Sequence, residues 1–277
     1  MLSRIFDYVN HVAGEGQYRL SEIYGTECFC WFLHSVILMR KPQTIVELGT
    51  GAACTTSLAA LAAKLNQHGH VWTVDDGSDW ELLREDCQRA AGYVNPDESY
   101  EQFVAGLLRT FGLSDYVTHV AQTVSGGSYF APRQPIDILF LDLGDTGPLG
   151  CLKALRYYLP KVARSSSIFI DRASTILPSR LLLESIVSSL DRGKVPRSLI
   201  NGLDPAAVEC IESLAGACRF KLIDLVESRR GKANVLQNSR LWISIEVEDS
   251  FPPEDVDVFI DGGAKKPIRL TRQRRKK

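Results

Sequence analysis

A chain of 277 residues, 45% apolar and 23% charged, has the size and composition of one large α/β domain or two small ones, with a core that needs no disulfide or metal to hold it. That excludes a disordered chain, a collagen-like repeat and a small stapled scaffold. The formal net charge of −1 hides an asymmetry: residues 265–277 hold eight basic side chains and no acidic one, leaving 24 of the 32 basic residues against 33 acidic ones in the body. An acidic body is a poor general surface for nucleic acid, while the tail leaves an RNA or an acidic partner open. A solubilising end is the plainer reading of that tail.

No run reaches the roughly 20 consecutive apolar residues of a membrane span; the nearest approach, residues 28–39, is broken by His34 and Ser35. The opening MLSRIFDYVN lacks the continuous apolar core of a secretory signal, so the expectation is a cytoplasmic protein with no membrane partner. Seven cysteines at irregular spacing, with no CxxC pair and no histidine placed to complete a zinc site, read as reduced and mostly buried small residues.

In chain order, residues 21–39 have the mixed apolar composition of a helical cap that ends at Lys41-Pro42. Strands are expected at 44–48, 70–74, 116–121, 136–141 and 167–170, with helical segments at 55–65, 100–111 and 150–159 between them. That alternation predicts a parallel sheet with right-handed crossovers and helices on both faces. Two later strands, 220–226 and 240–246, flank a polar stretch and suit an antiparallel hairpin closing the sheet edge. The fold class is therefore α/β: a doubly wound, mostly parallel, seven-stranded Rossmann-like sheet with an antiparallel C-terminal hairpin, an N-terminal helical cap and a helical insertion. Residues 1–43 form the cap and 44–249 the main domain. The insertion at 174–217, interrupted by Pro178, Pro196 and Pro205, covers a ligand end or makes a subunit contact, which leaves a homodimer open. Residues 250–277 form a C-terminal extension along which order declines into the basic tail.

The most informative segment is TIVELGTGAACTT, an apolar strand running into Glu47, then Gly49 and Gly51, then a helix near Thr55. Glycines let the backbone pass close to a ligand, and a helix N-terminus offers N–H groups to an anion. A lone GxG says little. Asp75, at the end of the next strand VWTVDD, adds a carboxylate able to accept both ribose hydroxyls of a nucleoside. A dinucleotide fingerprint would want glycine or alanine where Cys54 stands, and would not usually put a carboxylate at Glu47. The pattern therefore favours S-adenosylmethionine over NAD.

Here the chain resembles the class I S-adenosylmethionine-dependent methyltransferases, whose first motif has an acidic residue followed by GxG. The resemblance runs from residue 23 to residue 172, with the closing hairpin also in the family's order. Within that superfamily it looks most like the small-molecule O-methyltransferases of the catechol and macrolide-sugar type. SYEQFVAGLLRTFGLSDYVTHV, IDILFLD and SSSIFID are similar to their third to fifth strands and connecting helices. The resemblance puts Glu47, Gly49 and Gly51 against the methionine and ribose part of the cofactor, Thr55 at the methionine carboxylate and Asp75 on the ribose. In QTVSGGS it puts Gln122 and Ser125 beside the adenine. Ile23-Tyr24-Gly25-Thr26 is similar to the segment that closes over the methionine end, through Tyr24 and Gly25, with a plain loop before a helix as the alternative.

Methyl transfer from a sulfonium is an in-line displacement, so the protein chiefly aligns the nucleophile and weakens its proton. Asp142 ends IDILFLD and Asp171 ends SIFID, and in a parallel sheet both open onto the ligand-facing edge. In the catechol-type relatives two carboxylates at these positions and an asparagine after the second hold magnesium. Here that next residue is Arg172, which has no lone pair to give and a charge that opposes a cation. A divalent metal is left open, and no metal ligand is assigned. Three residues past Asp142 those relatives have a lysine base, and this chain has Asp145, the candidate base or a replacement ligand. The catalytic candidates are thus Asp142, Asp145 and Asp171, with helix capping or turn chemistry as their alternative roles.

The leading reading is an S-adenosylmethionine-dependent methyltransferase acting on an oxygen of a small molecule. The alternative is a non-catalytic S-adenosylmethionine-binding module or regulatory subunit, supported by Arg172 and by the lack of a histidine in the loop after Asp142. An RNA methyltransferase anchored by the tail has less support, because no aromatic and basic interleaving for base stacking lies near the site.

Overall fold

The computed structural model describes residues 2–13, 27–124, 129–142, 147–226 and 239–247. Tyr24, Gly25, Ser125, Asp145 and residues 250–277 with the basic tail lie outside them. Strand β1 (Thr44–Leu48) is buried along its whole length, as befits the centre of a parallel sheet covered on both faces. On one side it pairs in parallel with β2 (His70–Val74), which pairs with β3 (Val117–Val120). On the other it pairs with β4 (Ile136–Leu141), which pairs with β5 (Val162–Asp171). Strand β7 (Ser239–Val247) runs antiparallel to β5, and β6 (Cys218–Val226) runs antiparallel to β7 at the edge. The seven-stranded order is β3-β2-β1-β4-β5-β7-β6, so the expected doubly wound sheet with its closing hairpin is present.

Successive strand residues face opposite layers. Ile45, Ile138, Phe140 and Phe169 join one core with α1 (Leu2–Ala13), α2 (Glu27–Arg40), α3 (Cys54–Asn66), α4 (Trp80–Ala91) and α5 (Tyr100–Thr110). Val46, Leu139, Leu141 and Ile170 join the other with α6 (Pro148–Tyr158), α7 (Leu177–Asp191), α8 (Arg197–Ile200) and α9 (Pro205–Ala217). Helix α1 shows the spacing that buries a helix face, with Ile5, Tyr8, Val9 and Val12 inside. The region 174–217 supplies α7 to α9, the connection from β5 to β6. Leu183, Ile186, Val187 and Leu190 of α7 are buried in the second core.

Two elements differ from expectation. Helix α4 was not expected, because WELLREDCQRAA is dominated by charge; its buried stripe is only Trp80, Leu83, Cys87 and Gln88. Strand β5 starts five residues before the expected 167, through Arg164 and Ser165, whose exposure masks the strand pattern. Cys30, Cys54, Cys87, Cys151 and Cys218 are buried and Cys210 is exposed, none in a disulfide. Among the described residues no helix is long and apolar enough to cross a membrane.

Candidate functional site

The order of strands reverses between β1 and β4, and a cavity of about 240 Å³ opens there at the carboxyl ends of the parallel strands. Crevices at such a switch point are where open α/β sheets take ligands. Its walls come from the turns after four strands: Gly49 and Gly51 after β1, Asp75 and Gly77 after β2, Asp142 after β4, and Asp171 with Arg172 at the end of β5. Trp80, Leu83 and Tyr100 add an apolar side, and Asp79 a further carboxylate.

The turn after β1 is tied down from every direction. Gly49 has φ +93°, and its N–H donates to the Val74 carbonyl at 2.9 Å. A Cβ on it would stand 2.3 Å from the backbone oxygen of Asp142. Glycine is therefore required by the packing of this turn on the end of β4, before any ligand is considered. The Gly51 N–H donates to Asp75 Oδ2 at 2.9 Å, and the Gly51 carbonyl accepts from the Tyr100 hydroxyl at 2.8 Å. The Tyr8 hydroxyl of α1 donates to the Ala52 carbonyl at 2.7 Å. On the other side of Asp75, its Oδ1 accepts from the Gly77 N–H at 2.8 Å. Gly77 has φ +70°, and a Cβ there would lie 2.6 Å from the Tyr100 ring.

Asp75 thus stands between two glycine turns, one backbone N–H on each oxygen, at the cavity wall. A carboxylate has about four acceptor positions, so it keeps capacity for two further donors. Glu47 has a different place. It is 3% exposed, and its Oε2 accepts from the Thr73 hydroxyl at 2.7 Å and from the Thr56 hydroxyl, while Oε1 has no partner. Thr50 joins the same buried group through Thr73, at 2.6 Å. Glu47 does not line the cavity; it knits β1, β2 and the first turn of α3 beneath the glycine turn. Burial pushes its carboxyl up to about 7, against the lowering effect of the two threonine hydroxyls.

Thr55 lies in the first turn of α3, its hydroxyl 3.5 Å from the Cys30 thiol of α2, and Gln122 follows β3. Neither lines the cavity. His119 of β3 packs edge-on against Tyr100, ring centroids 5.5 Å apart. The structure therefore brings Gly49, Gly51, Asp75, Asp142 and Asp171 together and leaves Glu47, Thr55 and Gln122 outside the cavity.

At the far wall the carboxyl groups of Asp142 and Asp171 line the cavity together. Burial and the neighbouring Asp171 hold the Asp142 carboxyl well above the usual carboxylate range, with Arg240 and Arg172 opposing. Burial raises Asp171 as well, again against the two arginines. Neighbouring carboxyl groups disfavour each other's ionisation, which adds to the effect of burial in raising Asp142. Arg240 Nε lies 3.0 Å from Asp171 Oδ1, and Arg172 Nε lies 3.2 Å from Asp171 Oδ2. These N–H groups are not aligned on the oxygens as hydrogen bonds, so the attraction is that of close ion pairs. Among the described residues no group of three or more His, Cys, Asp or Glu is placed to hold a metal ion.

Sequence reasoning missed Trp80, Leu83, Tyr100, Gly77 and Arg240. Gly77 had a signal, an Asp-Asp-Gly run closing a strand. Arg240 had only the oddity of a cation opening an apolar strand, and its role depends on the β5–β7 register, where it lies directly opposite Asp171.

No protein-family model and no curated protein sequence matches the chain. Solved structures do. An O-methyltransferase from Bacillus cereus, in complex with SAH, aligns with a TM-score of 0.50 at 12% identity, covering 88% of this chain and 91% of its own. The O-methyltransferase TomG from Streptomyces achromogenes, in complex with SAM, gives 0.46 at 14% identity over 88% and 89%. A methyltransferase from Geobacter sulfurreducens gives 0.48 at 16% identity over 87% and 88%. The likeness to the Bacillus cereus protein is one of fold: the chain has the Rossmann-like methyltransferase fold, with seven strands and an antiparallel closing hairpin.

Proposed function

We propose that the chain is an S-adenosylmethionine-dependent methyltransferase of class I that transfers a methyl group to an oxygen of a small molecule. The observation that carries this is the cavity at the β1/β4 switch point, where Asp75 is fixed between the Gly51 and Gly77 amides with acceptor capacity to spare. The Bacillus cereus O-methyltransferase of the same fold, in complex with SAH, supports it.

The residues present suit the cofactor. Asp75 would accept from the ribose hydroxyls, and Trp80, Tyr100 and Leu83 offer an apolar and aromatic wall for a planar base. Gly49 and Gly51 hold the turn beneath it. Asp75 and Asp79 give this side of the lining an acidic character, which suits a sulfonium cation. When bound, the cofactor supplies an electrophilic methyl group whose leaving group is a neutral thioether.

The chain's own part is alignment and proton handling. Asp142 and Asp171, with Asp145 three residues past Asp142 in the sequence, are the groups we assign to orient the acceptor hydroxyl and receive its proton. Incubation with methyl-labelled S-adenosylmethionine and a panel of catechols, phenols and sugars tests this. Label in a methyl ether, with S-adenosylhomocysteine released in equal amount, is the expected result. No binding of the cofactor would overturn the reading, and binding without transfer to any acceptor would leave a binding module in its place.

A further inference from the structure

The catechol-type resemblance implies a divalent metal at Asp142 and Asp171, and the residues around them do not fit one. Both oxygens of Asp171 already face guanidinium groups, Arg240 at 3.0 Å and Arg172 at 3.2 Å. We propose that Arg240 is the fixed cation of this site: with Arg172 it takes the place of a divalent metal between the two strand-end carboxyl groups, and it positions Asp142 and Asp171 for a reaction that needs no metal ion.

The placement of Arg240 is built into the fold. It is 4% exposed and stands directly opposite Asp171 across the antiparallel β5–β7 ladder. Its guanidinium carbon lies 4.2 Å from the centre of the Phe29 ring. Phe29 of α2 is held in turn against Phe140 and Phe169, with ring centroids at 5.0 and 5.8 Å. A guanidinium with an aromatic face on one side and a carboxylate on the other has no solvent to retreat to when a metal approaches. A charge taken this far out of water is retained only where a partner is fixed beside it.

Arg172 adds an independent observation. Its backbone sits in the left-handed region at φ +55°, where a non-glycine residue other than asparagine or aspartate is uncommon. In that conformation it lines the cavity. The asparagine that the resemblance implies at this position would suit the backbone better. The chain instead keeps a cation there, on the same carboxylate that Arg240 neutralises. Two cations on Asp171 disfavour a third positive centre by charge.

The prediction concerns metal affinity, and it rests on the proposed function only in assigning these groups to methyl transfer. The full chain, stripped of metal by chelation and dialysis, is titrated with Mn²⁺ while electron paramagnetic resonance reads the unbound ion. The wild-type chain is expected to hold no stoichiometric Mn²⁺ at millimolar concentration. Arg172→Asn with Arg240→Gln is expected to bind one ion at least about tenfold more tightly than wild type, and Asp171→Asn added to that pair is expected to abolish the gain. Arg172→Asn alone replaces a partly exposed residue with one that tolerates its backbone, so it tests the idea even where loss of buried Arg240 prevents folding; a gain of at least about threefold is expected. A wild-type Mn²⁺ site that Asp171→Asn removes, or folded variants with no gain, overturns the proposal. Calorimetric titration of the wild-type chain with S-adenosylhomocysteine in the same buffer reads the proposed function separately, so a failure there and a failure of the metal arm are told apart.

Discussion

A side chain at Gly49 would meet the chain itself: its Cβ would lie 2.3 Å from the Asp142 oxygen on a backbone at φ +93°. Gly49→Ala is therefore expected to lower the stability of the ligand-free protein by more than about 2 kcal/mol, a Tm loss of roughly 5 °C or more. An unchanged Tm would show that the turn has room. Glu47 makes a second prediction. Its carboxyl is raised from 4.5 to about 7 by burial, so between those values the folded chain keeps a proton that the unfolded chain has lost. Stability contributed through this group is thus greatest at low pH and falls as pH rises through that window. Glu47→Gln still offers an oxygen to Thr56 and Thr73 and carries no charge to bury. Between pH 5 and pH 8 the wild type should lose about 2 kcal/mol more than the variant in urea melts; parallel losses would contradict the assignment. Glycines and a strand-end acid can be read from sequence because turn chemistry is local. The duties of Glu47 and Arg240 cannot, since one depends on depth beneath a turn and the other on which residue faces it across two strands.

Among the elements, the short strands β1, β2 and β4 are legible because burial of most of their residues leaves short, mainly apolar runs. Helix α4 is not, because its exposed side is crowded with charge and only a narrow stripe is buried. Yet α4 brings Trp80 and Leu83 to the cavity beside Tyr100 of α5, so what the sequence hides here is two of the three residues of the site's apolar wall. Helix α1 acts at a distance along the chain. Its Tyr8, 1% exposed, reaches the Ala52 carbonyl in the turn before α3. Tyr8→Phe leaves that carbonyl without the hydroxyl and is expected to lower stability by about 1–3 kcal/mol. An unmoved urea midpoint would show that α1 holds the turn by packing alone.

For the whole molecule, the alternation of strands and helices carries the doubly wound sheet, and the late polar gap carries the hairpin that reverses β7. Strand order puts the ends of β1, β2, β4 and β5 around one crevice. Residues as far apart in sequence as Gly49 and Arg172 meet there only because of it. The most direct test of the account is calorimetric titration of S-adenosylhomocysteine into the wild-type chain and into Asp75→Asn, with Tm recorded for both. The account predicts saturable one-to-one binding to the wild type, and a folded Asp75→Asn weakened by about 1.5–3 kcal/mol, roughly ten- to hundredfold, through loss of charge-assisted hydrogen bonds to the ribose. No saturable binding to the folded wild type, or equal affinity in the two proteins, would contradict it.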